Sequence, residues 1–95
     1  MPTYERSSEF IEHYQRLTAE QKALFRTVVK KFIADLRRGQ GFRKGLHVKG
    51  IKGDPGMFEL TWAPDGRAVF SFGKSVRGNE PHIIWHAVGT HGVLP

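Results

Sequence analysis

Along Phe58-Glu59-Leu60-Thr61-Trp62 and Arg67-Ala68-Val69-Phe70-Ser71-Phe72, a carboxylate, a guanidinium and two hydroxyls fall at alternate positions. Side chains alternate across an extended strand with a period of two. Glu59, Thr61, Arg67 and Ser71 therefore share one face, with Val69 their sole apolar companion. Phe58, Leu60, Trp62, Ala68, Phe70 and Phe72 take the other. The chain has 15 Lys and Arg against 9 Asp and Glu, a formal charge of +6. A polar face carrying an acid, a base and hydroxyls suits such a chain to chemistry on a polyanion.

The elements that must hold this face can be read outward from it. Ala63-Pro64-Asp65-Gly66 predicts a type I turn closed by a glycine with positive φ, so the two stretches form a hairpin. A loop over 73–81 carries Lys74 and Arg77, and a third strand follows from His82 to Val88. Either Trp85 of that strand faces the core and His86 the polar side, or the reverse holds. A one-residue slip exchanges the two faces. Upstream, 2–7 predicts a short strand, and Ser8 can cap a helix running to about Leu17. Thr18-Ala19-Glu20-Gln21 has the form of a capping box and starts a second helix. Its stripe is Leu24, Phe25, Val28, Val29, Phe32, Ile33 and Leu36, and Gly39 or Gly41 ends it.

These elements predict an α+β fold in one domain spanning 1–95. A short N-terminal strand and a helical hairpin precede a three-stranded antiparallel meander, with both helices packed on one sheet face. The helices need the aromatic face, which leaves the polar face open.

Composition excludes several classes. Without cysteine there is neither a disulfide framework nor a thiolate metal site. Met1-Pro2-Thr3-Tyr4-Glu5-Arg6 lacks the apolar run of a signal peptide, and no stretch reaches the ~20 apolar residues of a membrane span. The expected location is the cytoplasm, with no membrane partner. Residues 39–56 are rich in glycine and carry Arg43, Lys44, His47, Lys49 and Lys52. They form either a solvated connector or a basic loop that brings backbone N–H groups to phosphate. Gly50-Ile51-Lys52-Gly53 lacks the spacing of a P-loop. His82, His86 and His47 do not make a convincing zinc set, so neither a metal nor a cofactor is expected.

The order of these elements resembles the RelE/ParE superfamily of toxins from bacterial toxin–antitoxin pairs. The resemblance spans nearly the whole chain and is carried by four stretches. These are Lys49-Gly50-Ile51-Lys52-Gly53, Gly56-Met57-Phe58-Glu59-Leu60, Gly66-Arg67-Ala68-Val69-Phe70 and Val88-Gly89-Thr90-His91. It implies a cognate antitoxin and one of two activities: ribosome-dependent cleavage of mRNA, or inhibition of DNA gyrase by binding. Arg67 matches the arginine that opens the middle hairpin strand in nuclease members, and His91 matches the basic residue just past the last strand. Glu59 and Thr61 stand where those members often carry lysine or arginine, and the C-terminal tyrosine common among them is absent.

For a nuclease the resemblance implies metal-independent attack by the ribose 2′-hydroxyl. Such a reaction needs a base, positive charge for the phosphorane and an acid for the 5′-oxygen. Arg67 is the phosphate clamp and His91 the acid. Glu59 is either the base or a cross-strand ion-pair partner of Arg67. Lys49, Lys52, Lys44, Lys74 and Arg77 would hold RNA by charge. The alternatives are a non-catalytic gyrase-binding toxin and a basic nucleic-acid-binding module without toxicity.

Overall fold

Among the described residues, two capped helices and five strands follow one another. The computed structural model describes residues 2–90 and Gly92. Strand β1 spans Thr3–Arg6, helix α1 Ser8–Arg16, helix α2 Ala19–Arg38, β2 Lys49–Gly50, β3 Met57–Ala63, β4 Gly66–Gly73 and β5 His82–Thr90. The sheet order is β1-β5-β4-β3-β2. β1 lies parallel to β5, and every other pairing is antiparallel. The α+β architecture matches the expectation, with one strand more. The two-residue β2 pairs Lys49 with Glu59 and Gly50 with Phe58, adding an edge to the meander.

The helix ends follow from local chemistry. Ser7, one residue earlier than expected, caps α1 by accepting the Phe10 N–H. The capping box of α2 is complete: Thr18 Oγ1 accepts from the Gln21 N–H, and Gln21 Oε1 accepts from the Thr18 N–H. Gly39, at φ 72, ends α2 in the left-handed region that glycine tolerates.

The hairpin turn departs from expectation. Gly66 is absent from the positive-φ glycines of the described residues. Its constraint is steric instead, because a Cβ there would lie 2.6 Å from the Trp62 ring. Trp62 is skipped in the register between Thr61↔Arg67 and Ala63↔Gly66. Its indole N–H donates to the Arg67 carbonyl at 2.9 Å.

Alternation on β3 and β4 places the core as predicted. Phe58 faces Phe70 and Leu60 faces Ala68 across the pair. Leu60, Ala68 and Phe70 are wholly buried, under Phe25 and Phe32 of α2. Phe72 shares that face but remains 48% exposed at its margin, and Leu24 on the helix stripe is 51% exposed.

β5 resolves the choice left open between Trp85 and His86. Phe70 pairs with Trp85 whereas Val69 pairs with Ala87, so His86 is an extra residue opposite no partner. This β-bulge lets Ile83, Trp85 and Val88 all join the core despite their uneven spacing. A strict alternation cannot do that.

Candidate functional site

The sheet face away from the helices is set out in rows by the register. One row holds Thr61, Arg67 and Gly89; the next holds Glu59, Val69 and Ala87; beyond it stand Met57, Ser71 and Ile84. Successive rows are two residues, about 7 Å, apart along the strands. Val69 and Ala87 are small and buried, forming a low floor between longer polar neighbours.

Glu59 does not pair with Arg67. Its Oε1 lies 3.3 Å from Lys49 Nζ, across the β2–β3 pairing. The register explains this, because Glu59 stands opposite Lys49 on one side and Val69 on the other, while Arg67 stands opposite Thr61. The Arg67 guanidinium turns back over its own hairpin end. Nη1 donates to the carbonyls of Gly66 at 3.0 Å, Pro64 at 3.3 Å and Ala63 at 3.4 Å. His91 lies outside the described residues.

The remaining cations do not converge on Arg67. Lys52 is exposed in the turn leading to β3, and Lys74 and Arg77 are exposed in the β4–β5 loop. Those segments adjoin the start of β3, the end of β4 and the start of β5, which form the end of the sheet opposite the Pro64-Asp65 turn. Lys49 stands at the middle row. The exposed Lys44 opens a 3-10 turn, Lys44–Leu46, whose Leu46 is buried. From the Arg67 row to Gly73 the strip is about 20 Å long, six residues at ~3.3 Å each.

Three features of the site and its supports go beyond sequence reasoning. Ser71 Oγ and His86 Nε2 are 2.7 Å apart on the open face, a pairing that the bulge creates. His82 is buried on the same face: its Nε2 donates to the Glu5 carboxylate at 2.8 Å, leaving Nδ1 to accept from the Thr3 hydroxyl at 2.7 Å. This ties β1 to β5. Third, Asp35 is a fully buried carboxylate in α2. Arg43 donates to it from the backbone N–H and Nε, both at 3.0 Å, and from Nη2 at 2.8 Å, while Arg38 Nη2 adds a bond at 3.2 Å.

Those hydrogen bonds from Arg43 hold the Asp35 carboxyl down at about 2, against the opposing effect of burial. The same pair raises the Arg43 pKa. This clamp anchors the start of the glycine-rich segment from which Lys44 and Lys49 emerge. Sequence could have hinted at it, since Asp35 sits beside Phe32 and Leu36 on the apolar stripe. Among the described residues, no group of three His, Asp or Glu is arranged to hold a metal. No helix among them is long and apolar enough to cross a membrane.

No protein-family model and no curated protein matches this sequence. Solved structures do match its fold. A chain of the E. coli DinJ–YafQ toxin–antitoxin complex superposes with a TM-score of 0.71 at 12% identity, covering 98% of this chain and 96% of that one. The YoeB/ParE toxin from Agrobacterium tumefaciens gives 0.70 at 13% identity, covering 94% and 98%. The RelB–RelE antitoxin–toxin complex from Methanococcus jannaschii gives 0.57 at 16%, covering 93% and 91%. Across nearly its whole length, the chain has the fold of the RelE/ParE-type toxins of toxin–antitoxin pairs.

Proposed function

We propose that this chain is the toxin of a toxin–antitoxin pair and that it cleaves mRNA held on the ribosome. The observation that carries this reading is the sheet face that no described helix covers, where Arg67, Lys49 and Glu59 border a floor of small residues. In the mechanism, the 2′-hydroxyl attacks the adjacent phosphate, so the nucleophile is internal to the RNA. Arg67 exchanges its hairpin carbonyls for phosphate oxygens and stabilises the phosphorane. His91 protonates the departing 5′-oxygen. Glu59 borders the same floor, with its carboxylate engaged by Lys49. Lys44, Lys52, Lys74 and Arg77 hold flanking phosphates by charge, positioning the strand rather than reading its bases.

The partner in this reading is an antitoxin whose acidic, amphipathic segment folds on binding. The fold supports it, because matching structures include toxin–antitoxin complexes. A second reading, a non-catalytic toxin that binds gyrase, draws on one observation. The polar groups of the open face are engaged with the protein itself, Arg67 with its turn and Glu59 with Lys49.

Expression of the wild-type chain separates the two readings. Primer extension on message from growth-arrested cells should reveal new 5′ ends within translated codons, and purified gyrase should supercoil normally in its presence. Intact message together with blocked supercoiling would replace the nuclease by the gyrase-binding toxin.

A further inference from the structure

The open face contains an imidazole whose side of the sheet residue spacing alone leaves undecided. His86 is the extra residue of the β5 bulge, between Trp85, which pairs with Phe70, and Ala87, which pairs with Val69. Its backbone is fixed from one side, where its carbonyl accepts the Ser7 hydroxyl at 3.1 Å and the neighbouring Trp85 carbonyl accepts the Ser7 N–H at 3.0 Å. Its ring is fixed from the other side by Ser71, 2.7 Å from Nε2. Both Ser71 and His86 are half-buried, so the ring is held without being sealed away.

This position suits proton transfer. The bulge sets His86 between the Ser71 row and the Val69–Ala87 row, so it borders the same low floor as Arg67 and Glu59. The Arg67 row lies two rows, about 13 Å, from Ser71. A ribose–phosphate unit over Val69 and Ala87 would therefore meet the imidazole at one end and, once Arg67 releases its hairpin carbonyls, the guanidinium at the other. Glu59 borders the floor as well, but it is only 8% exposed and is engaged by Lys49. Imidazole as a class exchanges protons near neutrality, where a general base is most effective.

We propose that His86 is the general base of the cleavage reaction, with Ser71 as the residue that positions it; this rests on the nuclease reading above. In the free protein the Ser71 hydroxyl occupies Nε2, and the ribose 2′-hydroxyl takes its place when RNA binds. The 2′-hydroxyl gives its proton to Nε2 as its oxygen forms a bond to phosphorus. The bond from phosphorus to the 5′-oxygen breaks, and that oxygen receives a proton from the acid at the chain end. The products are a 2′,3′-cyclic phosphate and a free 5′-hydroxyl, and the imidazolium returns its proton to solvent.

Single-turnover cleavage of ribosome-bound message tests this. His86→Gln should slow the step by about 10²–10⁴, with the half-saturating ribosome concentration and the melting temperature close to wild type. His86→Ala should regain activity when free imidazole is added, which a purely structural role would not produce. Ser71→Ala should slow the step less, by about tenfold or under, since only ring placement is lost. A wild-type rate in His86→Gln, or a slow His86→Ala that imidazole does not rescue, overturns the assignment. A loss in Glu59→Gln with none in His86→Gln hands the role to Glu59. A wild-type protein that leaves the message intact removes the nuclease reading itself, and this proposal with it.

Discussion

The two faces of the sheet are built on opposite terms. On the helix side, Phe70 touches Phe32, Phe42, Phe58, Phe72 and Trp85 with ring centroids 4.9–6.5 Å apart. Each ring there has several neighbours, and none can move alone in an interior of close-packed density. On the open side the interactions are pairwise and polar: Lys49 with Glu59, Ser71 with His86, Arg67 with its own turn. A ligand that supplies equivalent charges or hydroxyls can replace such interactions one at a time. The aromatic face therefore provides stability, and the polar face can give up its internal partners to a substrate.

Substitution should expose this division most sharply at Phe70. It has no solvent exposure, and Phe70→Ala should cost about 3–5 kcal/mol in urea unfolding, as for other buried aromatics. Retention of the wild-type melting temperature would break the contrast, because the aromatic face would then not be the source of stability.

Acid titration probes the clamp between α2 and the segment that follows it. The folded Asp35 carboxyl lies at about 2, below the ~3.9 of an unfolded chain. Its stabilising contribution is therefore complete above about pH 4 and is lost as pH falls through about 2. Asp35→Asn should be less stable than wild type at neutral pH and should lack that acid-dependent limb. The two proteins should converge toward pH 2, as followed by circular dichroism. Parallel curves over the whole range would show that Asp35 does not contribute in this way.

The smallest effect on stability is expected on the open face. Lys49→Gln with Lys52→Gln should change unfolding free energy by about 1–2 kcal/mol, above the range for wholly exposed pairs because the Glu59 carboxylate left behind is largely buried. The same double change should flatten the salt dependence of single-stranded RNA binding, by about 0.7 in log–log slope for each phosphate no longer neutralised. An unchanged slope would take this edge of the sheet out of the RNA path.

Much of the division between faces is legible in the chain itself. Phe58, Leu60, Ala68 and Phe70 alternate without interruption, and Thr18 with Gln21 and Gly39 mark the limits of α2. What could not be read there depends on register. The pairing of Glu59 with Lys49 follows from a two-residue strand too short to leave a pattern. The bulge at His86 inserts one residue into β5, and periodicity alone assigns Trp85 and Val88 to opposite faces when both are buried. The clamp on Asp35 is hidden for a different reason. Its partner Arg43 lies eight residues on, past the end of the helix, so no helical spacing connects them.

Arg67 carries the central claim that the open face is a site of RNA cleavage, and cleavage of ribosome-bound message by wild type and Arg67→Ala tests it most directly. Wild type should produce fragments ending in a 2′,3′-cyclic phosphate. Arg67→Ala, folded and still ribosome-bound, should lose about 3–4 kcal/mol of transition-state stabilisation, a fall of roughly 10²–10³ in rate. Equal cleavage by the two proteins, or none by wild type while it still arrests growth, would contradict the account.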